Sequence, residues 1–248
     1  MKTIKITNIA EKFINLIFPV KCVICGKISH EPEGIICVNC RGILIKEASV
    51  DCRKCKNPPD SCVCVRTNNL DRVIFPYFYR GDNIRMAIYK LKRNNLKYIN
   101  EFFAKSMYNS LKISDKINIG DIDFITGAPR KQQAVKFYGY NQTEILAKII
   151  AEYAGVAYLP ILKASGLYKT EQKSIISYDQ SKRLSNVENK FIPVKNFRYM
   201  KEKIEDKNIL ITDDVITTGS TLSECARVMK NMGAKSVSAL CIAAVNNR

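Results

Sequence analysis

The chain has 248 residues, 46% of them apolar and 25% charged, with a formal net charge of +17. A chain of this size can bury a full core and still carry a small appended module. No run of about 20 apolar residues is present, which excludes a transmembrane helix, and the strong positive charge favours polyanionic partners held in a salt-dependent way.

At the N-terminus, Ile6, Ile9, Phe13, Leu16 and Ile17 share one helical face, so an amphipathic helix docked on the protein surface is expected over residues 1–19. The first 20 residues have neither a continuous apolar segment nor a small-residue cleavage site, so a secretory signal is not expected and a cytoplasmic location is. Eight of the ten cysteines lie before residue 65. They are Cys22 and Cys25, Cys37 and Cys40, Cys52 and Cys55, and the tighter pair Cys62 and Cys64. Without a secretion signal, a disulfide framework explains them poorly. Thiolate pairs a few residues apart suit tetrahedral zinc, because one tight turn presents two sulfurs to one ion. Two structural zinc sites are therefore expected within residues 20–66, paired in chain order or interleaved. His30, the single histidine, lies between two pairs and reads as a solvated loop residue.

Residues 1–66 carry eleven Lys/Arg against six Asp/Glu, a balance of +5. Each zinc held by four thiolates contributes −2, which brings the cysteine-rich segment close to neutral. The other +12 lies on residues 67–248, most densely over 80–116 and 163–207. The cysteine module thus reads as structural, and the basic charge belongs to the rest of the chain.

Residues 73–79 (Val-Ile-Phe-Pro-Tyr-Phe-Tyr) read as an edge strand, since Pro76 has no N–H for a central ladder. Asp82 can cap a helix whose apolar face is Ile84, Ile88 and Leu91, with the basic run Lys90, Lys92, Arg93 at its end. A short strand over 124–128 leads into Arg130 and Lys131, a basic loop fit to grip an anion. A helix then opens after Gly139, with Ile145, Leu146 and Ile149 inward. Residues 165–189 are polar and lack sustained periodicity, as a functional loop does.

The most informative stretch is 208–222, Asn-Ile-Leu-Ile-Thr-Asp-Asp-Val-Ile-Thr-Thr-Gly-Ser-Thr-Leu. Ile209, Leu210 and Ile211 read as a buried strand ending at two carboxylates, Asp213 and Asp214. A small hydroxyl-rich loop comes next, and then a helix with Leu222, Ala226 and Met229 inward and Gly233 beyond its end. Backbone N–H groups of Val215 and of Thr217, Thr218, Gly219, Ser220 and Thr221, aided by the helix dipole, can converge on a phosphate. Two carboxylates beside a phosphate cradle must face hydrogen-bond donors, and vicinal ribose hydroxyls are such donors.

This stretch resembles the motif with which type I phosphoribosyltransferases bind phosphoribosyl pyrophosphate (PRPP). The resemblance implies an α/β fold with a parallel sheet flanked by helices over residues 70–248, beside a small N-terminal zinc-ribbon module. It implies that Asp213 and Asp214 hold the ribose hydroxyls and are the catalytic pair, that the loop holds the 5′-phosphate, that Arg130 and Lys131 meet the pyrophosphate, and that magnesium accompanies PRPP. Further segments in order, Phe18-Pro19, Tyr79-Arg80-Gly81 through Lys92, Gly139-Tyr140-Asn141-Gln142, and Arg183-Leu184-Ser185 with Phe191, are similar to the ComF family of competence-associated phosphoribosyltransferase-like proteins. Tyr138 departs from that pattern, which has arginine there. Tyr178, Lys182 and Arg183 would lie on a flexible loop closing over PRPP. The ComF resemblance implies single-stranded DNA handling in natural transformation, with a competence helicase or ATPase as partner. Two further readings stand beside it: a nucleotide-salvage type transferase with no DNA role, and a zinc-stapled scaffold for an ATPase.

Overall fold

The computed structural model describes residues 21–22, 24–29, 36–48, 52, 55–62, 64–65, 68–80, 82–93, 95, 97–130, 132–165 and 190–245. Residues 1–19, His30, Lys131, Tyr178, Lys182 and Arg183 lie outside them. Two nine-residue strands carry the sheet: β7 (Asn208–Ile216) and β8 (Ser236–Ala244), paired in parallel. Val237 through Ala244 are all buried, as a strand covered on both faces requires. Around them lie β1 (Val73–Ile74), β2 (Tyr77–Phe78), β3 (Phe124–Gly127) and β4 (Ala157–Tyr158). The order is β1-β8-β7-β3-β4, with β2 also pairing with β8 and every pairing parallel. As the sequence suggested, 73–79 forms the sheet edge, split into two short strands around Pro76.

Helices cover both faces. On one lie α1 (Val38–Ala48), α2 (Asp82–Arg93), α3 (Lys97–Ile113) and α5 (Gln142–Ala154), packing Leu44, Ile84, Phe103 and Leu146 against Ile125, Leu210 and Leu240. On the other lie α6 (Phe197–Ile204) and α7 (Ser220–Asn231), packing Met200, Leu222 and Met229 against Ile209, Ile211 and Ala239. An antiparallel pair, β5 (Leu162–Ala164) with β6 (Phe191–Pro193), joins this second core. The cysteine-rich segment is not separate from these cores. Cys22 and Cys40 belong to the first, and Cys52 and Cys62 to the second.

Four details differ from expectation. β7 does not stop at Asp213 but runs on to Ile216, because β8 continues to pair with it from Asp213 to Ile216. The basic segment after β3 winds into α4 (Gln132–Tyr138). The inward face of α5 is Leu146, Ala147, Ile150 and Ala151, with Ile145 and Ile149 only half-buried, a rotation set by docking on β3 and β7. The 17-residue α3, with Ile99, Phe103, Met107 and Leu111 at helical spacing, is an element that the sequence reading does not include.

Candidate functional site

β3 and β7 are neighbours, yet β3 leads on to β4 on one side and β7 to β8 on the other. A parallel sheet opens a crevice at the carboxyl ends of strands that diverge in this way. The β3 ladder ends where Gly127 pairs with Thr212, after which the Ala128 N–H meets the Thr212 carbonyl at 2.9 Å. Among the described residues, 213–216 therefore pair only with β8 and turn their other edge to the crevice.

Gly127 is needed for that geometry. A Cβ there would lie 2.8 Å from the Glu144 nitrogen and 2.9 Å from its Cα, so the N-terminus of α5 sits directly against β3. Two threonines fix the approach: Thr143 Oγ1 lies 2.6 Å from the Ala128 carbonyl, and Thr212 Oγ1 donates to the Thr143 carbonyl at 2.9 Å.

Within the crevice, Asp213 and Asp214 stand side by side at the free edge of β7. The Asp214 N–H donates to Asp213 Oδ1 at 2.8 Å, and Lys92 Nζ from the last turn of α2 lies 3.0 Å from Asp214 Oδ2. Desolvation, then the Asp214 charge, push the Asp213 carboxyl up to about 7, against the pull of Lys92 and Arg130. The loop beyond β7 passes through Gly219, whose φ of +74° is left-handed and suits glycine, before α7 begins at Ser220. Thr217, Thr218, Ser220 and Thr221 are exposed there, and Thr218 Oγ1 donates to Ser220 Oγ at 3.1 Å. Gly219, Ser220 and Thr221 line a small pocket of about 30 Å³ with Asp213 and Val215.

On the opposite wall, Arg130 lies just beyond β3. Its Nη1 is buried with no hydrogen-bond partner among the described residues, and its guanidinium lies 5.0 Å from the centre of the Tyr138 ring. Tyr138, where the resembling family has arginine, thus supports Arg130 from below. Tyr140 Oη donates to the Lys92 carbonyl at 3.0 Å, tying α2 to this aromatic turn. Lys92 is the site residue that sequence reasoning misses. The sequence groups it with Lys90 and Arg93 as outward basic charge; its place at the end of the Tyr79-to-Lys92 segment, which is similar to ComF proteins, is the available signal.

The cysteines gather in chain order, not interleaved: Cys22, Cys25, Cys37 and Cys40 in one cluster, Cys52, Cys55, Cys62 and Cys64 in the other, each with its sulfurs within 4.8 Å of one another. Both first pairs use one turn. The Gly26 N–H returns to the Cys22 carbonyl and the Lys56 N–H to the Cys52 carbonyl, each through a left-handed residue. Cys25 and Cys37 sulfurs lie 3.8 Å apart, as do those of Cys55 and Cys62. Four sulfurs at tetrahedral positions about 2.3 Å from one ion stand about 3.8 Å apart. Desolvation, together with Cys52 and Cys55, pushes the Cys62 thiol up to about 12. Thiols so crowded ionise together only around a cation, so the donor sets fit structural metal ions.

Residues 144–248 match the model of the phosphoribosyl transferase domain. Across 42 residues, 17% of this chain and 16% of the other, the chain is 50% identical to ribose-phosphate pyrophosphokinase 2 of Archaeoglobus fulgidus. It is 24% identical to competence protein F of Haemophilus influenzae over 40% of each chain. It is 22% identical to competence protein ComFC of Streptococcus pneumoniae over 88% of this chain and 96% of that one. The chain is similar to ComF competence proteins and carries a domain of phosphoribosyl transferase type. The matches to the first two relatives span less than half of their length, whereas the third is matched nearly end to end. Among the described residues, no helix is long and apolar enough to cross a membrane.

Proposed function

We propose that this ComF-like chain binds PRPP at the carboxyl end of β7. One juxtaposition carries the proposal: an acidic pair and a hydroxyl-rich loop leading into a helix N-terminus meet at a strand edge that β3 has already left. Asp213 and Asp214 accept from the ribose hydroxyls. The N–H and hydroxyl groups of Thr217, Thr218, Gly219, Ser220 and Thr221, with the Val215 backbone, hold the 5′-phosphate. Arg130, whose buried Nη1 awaits an acceptor, meets the pyrophosphate together with Lys131. Magnesium would accompany the pyrophosphate and offset its charge. Tyr178, Lys182 and Arg183 belong to the segment that would close over the ligand. Such a site can support pentosyl transfer, since the protein's part is to position an acceptor and stabilise departing pyrophosphate. Zinc is the ion proposed for both cysteine clusters, with residues 20–66 as the metal module and 70–248 as the transferase-like domain.

A role in handling single-stranded DNA during competence is proposed on two supports: the names of the two competence relatives, and the +12 carried by residues 67–248. Exposed Arg85 and Arg93 stack on Tyr79 and Tyr89, at 5.4 and 4.6 Å from the ring centres. Cation and aromatic pairs of this kind suit a strand's backbone and bases. Titration calorimetry with PRPP and magnesium tests the central proposal. Asp213→Ala combined with Asp214→Ala removes two charge-assisted acceptors and is expected to weaken binding by at least about 100-fold. Unchanged affinity in the double variant overturns it.

A further inference from the structure

Lys92 sits in the last turn of α2, half-exposed, in a basic run with Lys90 and Arg93. Its ammonium nevertheless reaches 3.0 Å from Asp214 Oδ2, a carboxylate whose side chain is only 16% exposed. The backbone beside it is fixed as well, since its carbonyl accepts from Tyr140 Oη at 3.0 Å. Arg85 and Arg93 on the same helix lie over tyrosine rings and take no part in the acidic pair.

Two adjacent carboxylates with little water between them cannot both ionise without help, because each charge raises the cost of the other. Among the described residues, the charged and titratable groups acting on the pair are Lys92 from α2, Arg130 beyond β3, Cys225 from α7 and Cys241 from β8, besides the two aspartates themselves. Both cysteines are held well above their usual range, burial first and the Asp213 charge next, so they stay neutral and add no counter-charge. Arg130 lies beyond β3, over the Tyr138 ring. Lys92 alone among these groups forms an ion pair with either member of the acidic pair.

We infer that Lys92 is a positioning residue for the phosphoribosyl site, holding the Asp214 carboxylate in place as an acceptor, and that the basic end of α2 is thereby coupled to ligand binding. This rests on the PRPP proposal for that site. It changes what α2 can do: a polyanion that takes Lys92 from Asp214 alters the ribose site, so the two surfaces are not independent.

The test uses the full metal-loaded chain as wild type, Lys92→Met and Lys92→Arg. PRPP affinity is measured by calorimetry from pH 5.5 to 8.5, and the Asp213 and Asp214 carboxyls are titrated without ligand by carbon-13 NMR. In Lys92→Met, PRPP binding is expected to weaken about tenfold at pH 8, and the pH at which affinity halves is expected to move up by about one unit. Lys92→Arg is expected to restore both, and the ligand-free spectra to show the Asp214 carboxyl resonance displaced in Lys92→Met. An unmoved pH midpoint, an unmoved Asp214 resonance, or loss of affinity that arginine does not rescue each overturns the inference. Wild-type protein that binds no PRPP overturns the site proposal instead, and the ligand-free spectra then still decide whether Lys92 holds Asp214.

Discussion

Asp213 shows how a binding requirement is met against stability. Burial and the Asp214 charge push its carboxyl up to about 7 in the folded chain, against about 4 when unfolded, so between those values the native state holds a proton the unfolded state has released. Stability from this group is therefore lost as pH rises from about 4 through 7, the reverse of a salt-bridged aspartate. Asp213→Asn is expected to melt higher than wild type at pH 8, with the gap closing by about pH 4, while PRPP binding is lost. Thermal melts across that range check both the sign and the window. Gly127 makes the opposite demand, since here even a methyl group is too much. A Cβ 2.8 Å from the backbone of α5 cannot be relieved by a rotamer change, and Gly127→Ala is expected to cost about 1–3 kcal/mol in chemical denaturation.

At the level of elements, one lysine ties the second cysteine cluster to the sheet edge. Lys116, in the segment after α3, donates from Nζ to the Cys62 carbonyl at 2.8 Å and to the Val73 carbonyl at 3.3 Å, joining the cluster to the sheet edge. Lys116 is half-buried, and that burial lowers its pKa. Lys116→Met leaves two carbonyls without their donor and is expected to cost about 1–3 kcal/mol. It should also speed metal release to a chelator from this cluster while leaving the rate from Cys22, Cys25, Cys37 and Cys40 unchanged. Equal acceleration at both clusters would contradict the local role. On α2 the same logic separates neighbours. Arg85→Glu with Arg93→Glu should weaken single-stranded DNA binding and leave PRPP binding alone, since neither arginine pairs with the acidic residues, whereas reversal at Lys92 should disturb both ligands.

For the whole molecule, the cysteine clusters are part of the cores. Chelation from a chain whose cysteines enter both cores is expected to lower Tm by at least about 10 °C, with two metal ions released per chain. Below that temperature the phosphate loop, built on β7 and α7, should keep its affinity. The charge of +17 acts at this scale too. DNA affinity should fall steeply with salt, since each neutralised phosphate releases counterions, and a mobility-shift series without binding even at about 20 mM salt would remove DNA from the proposed function.

What the sequence settled by itself was local. The apolar run before Asp213 and Asp214, the small residues around Gly219 and the inward face of α7 are written in consecutive positions, where strand and helix periods are strong. The four cysteine pairs are equally legible, because metal ligation leaves its spacing in the chain. Pairing of those cysteines in chain order was not legible, since pairs along a chain are compatible with either arrangement until the turns are folded. Nor was the extension of β7 through the acidic pair, which needs β8 beside it, or the rotation of α5, which Gly127 and Thr143 impose. Lys92 is the clearest case. In sequence it is one of three basic residues on a solvated helix end, 122 positions from Asp214, and only the packing of α2 against the sheet turns one of those three toward the carboxylate. Periodicity reports which face of a helix is buried; which charge at its end meets a distant partner is decided by how the helices dock.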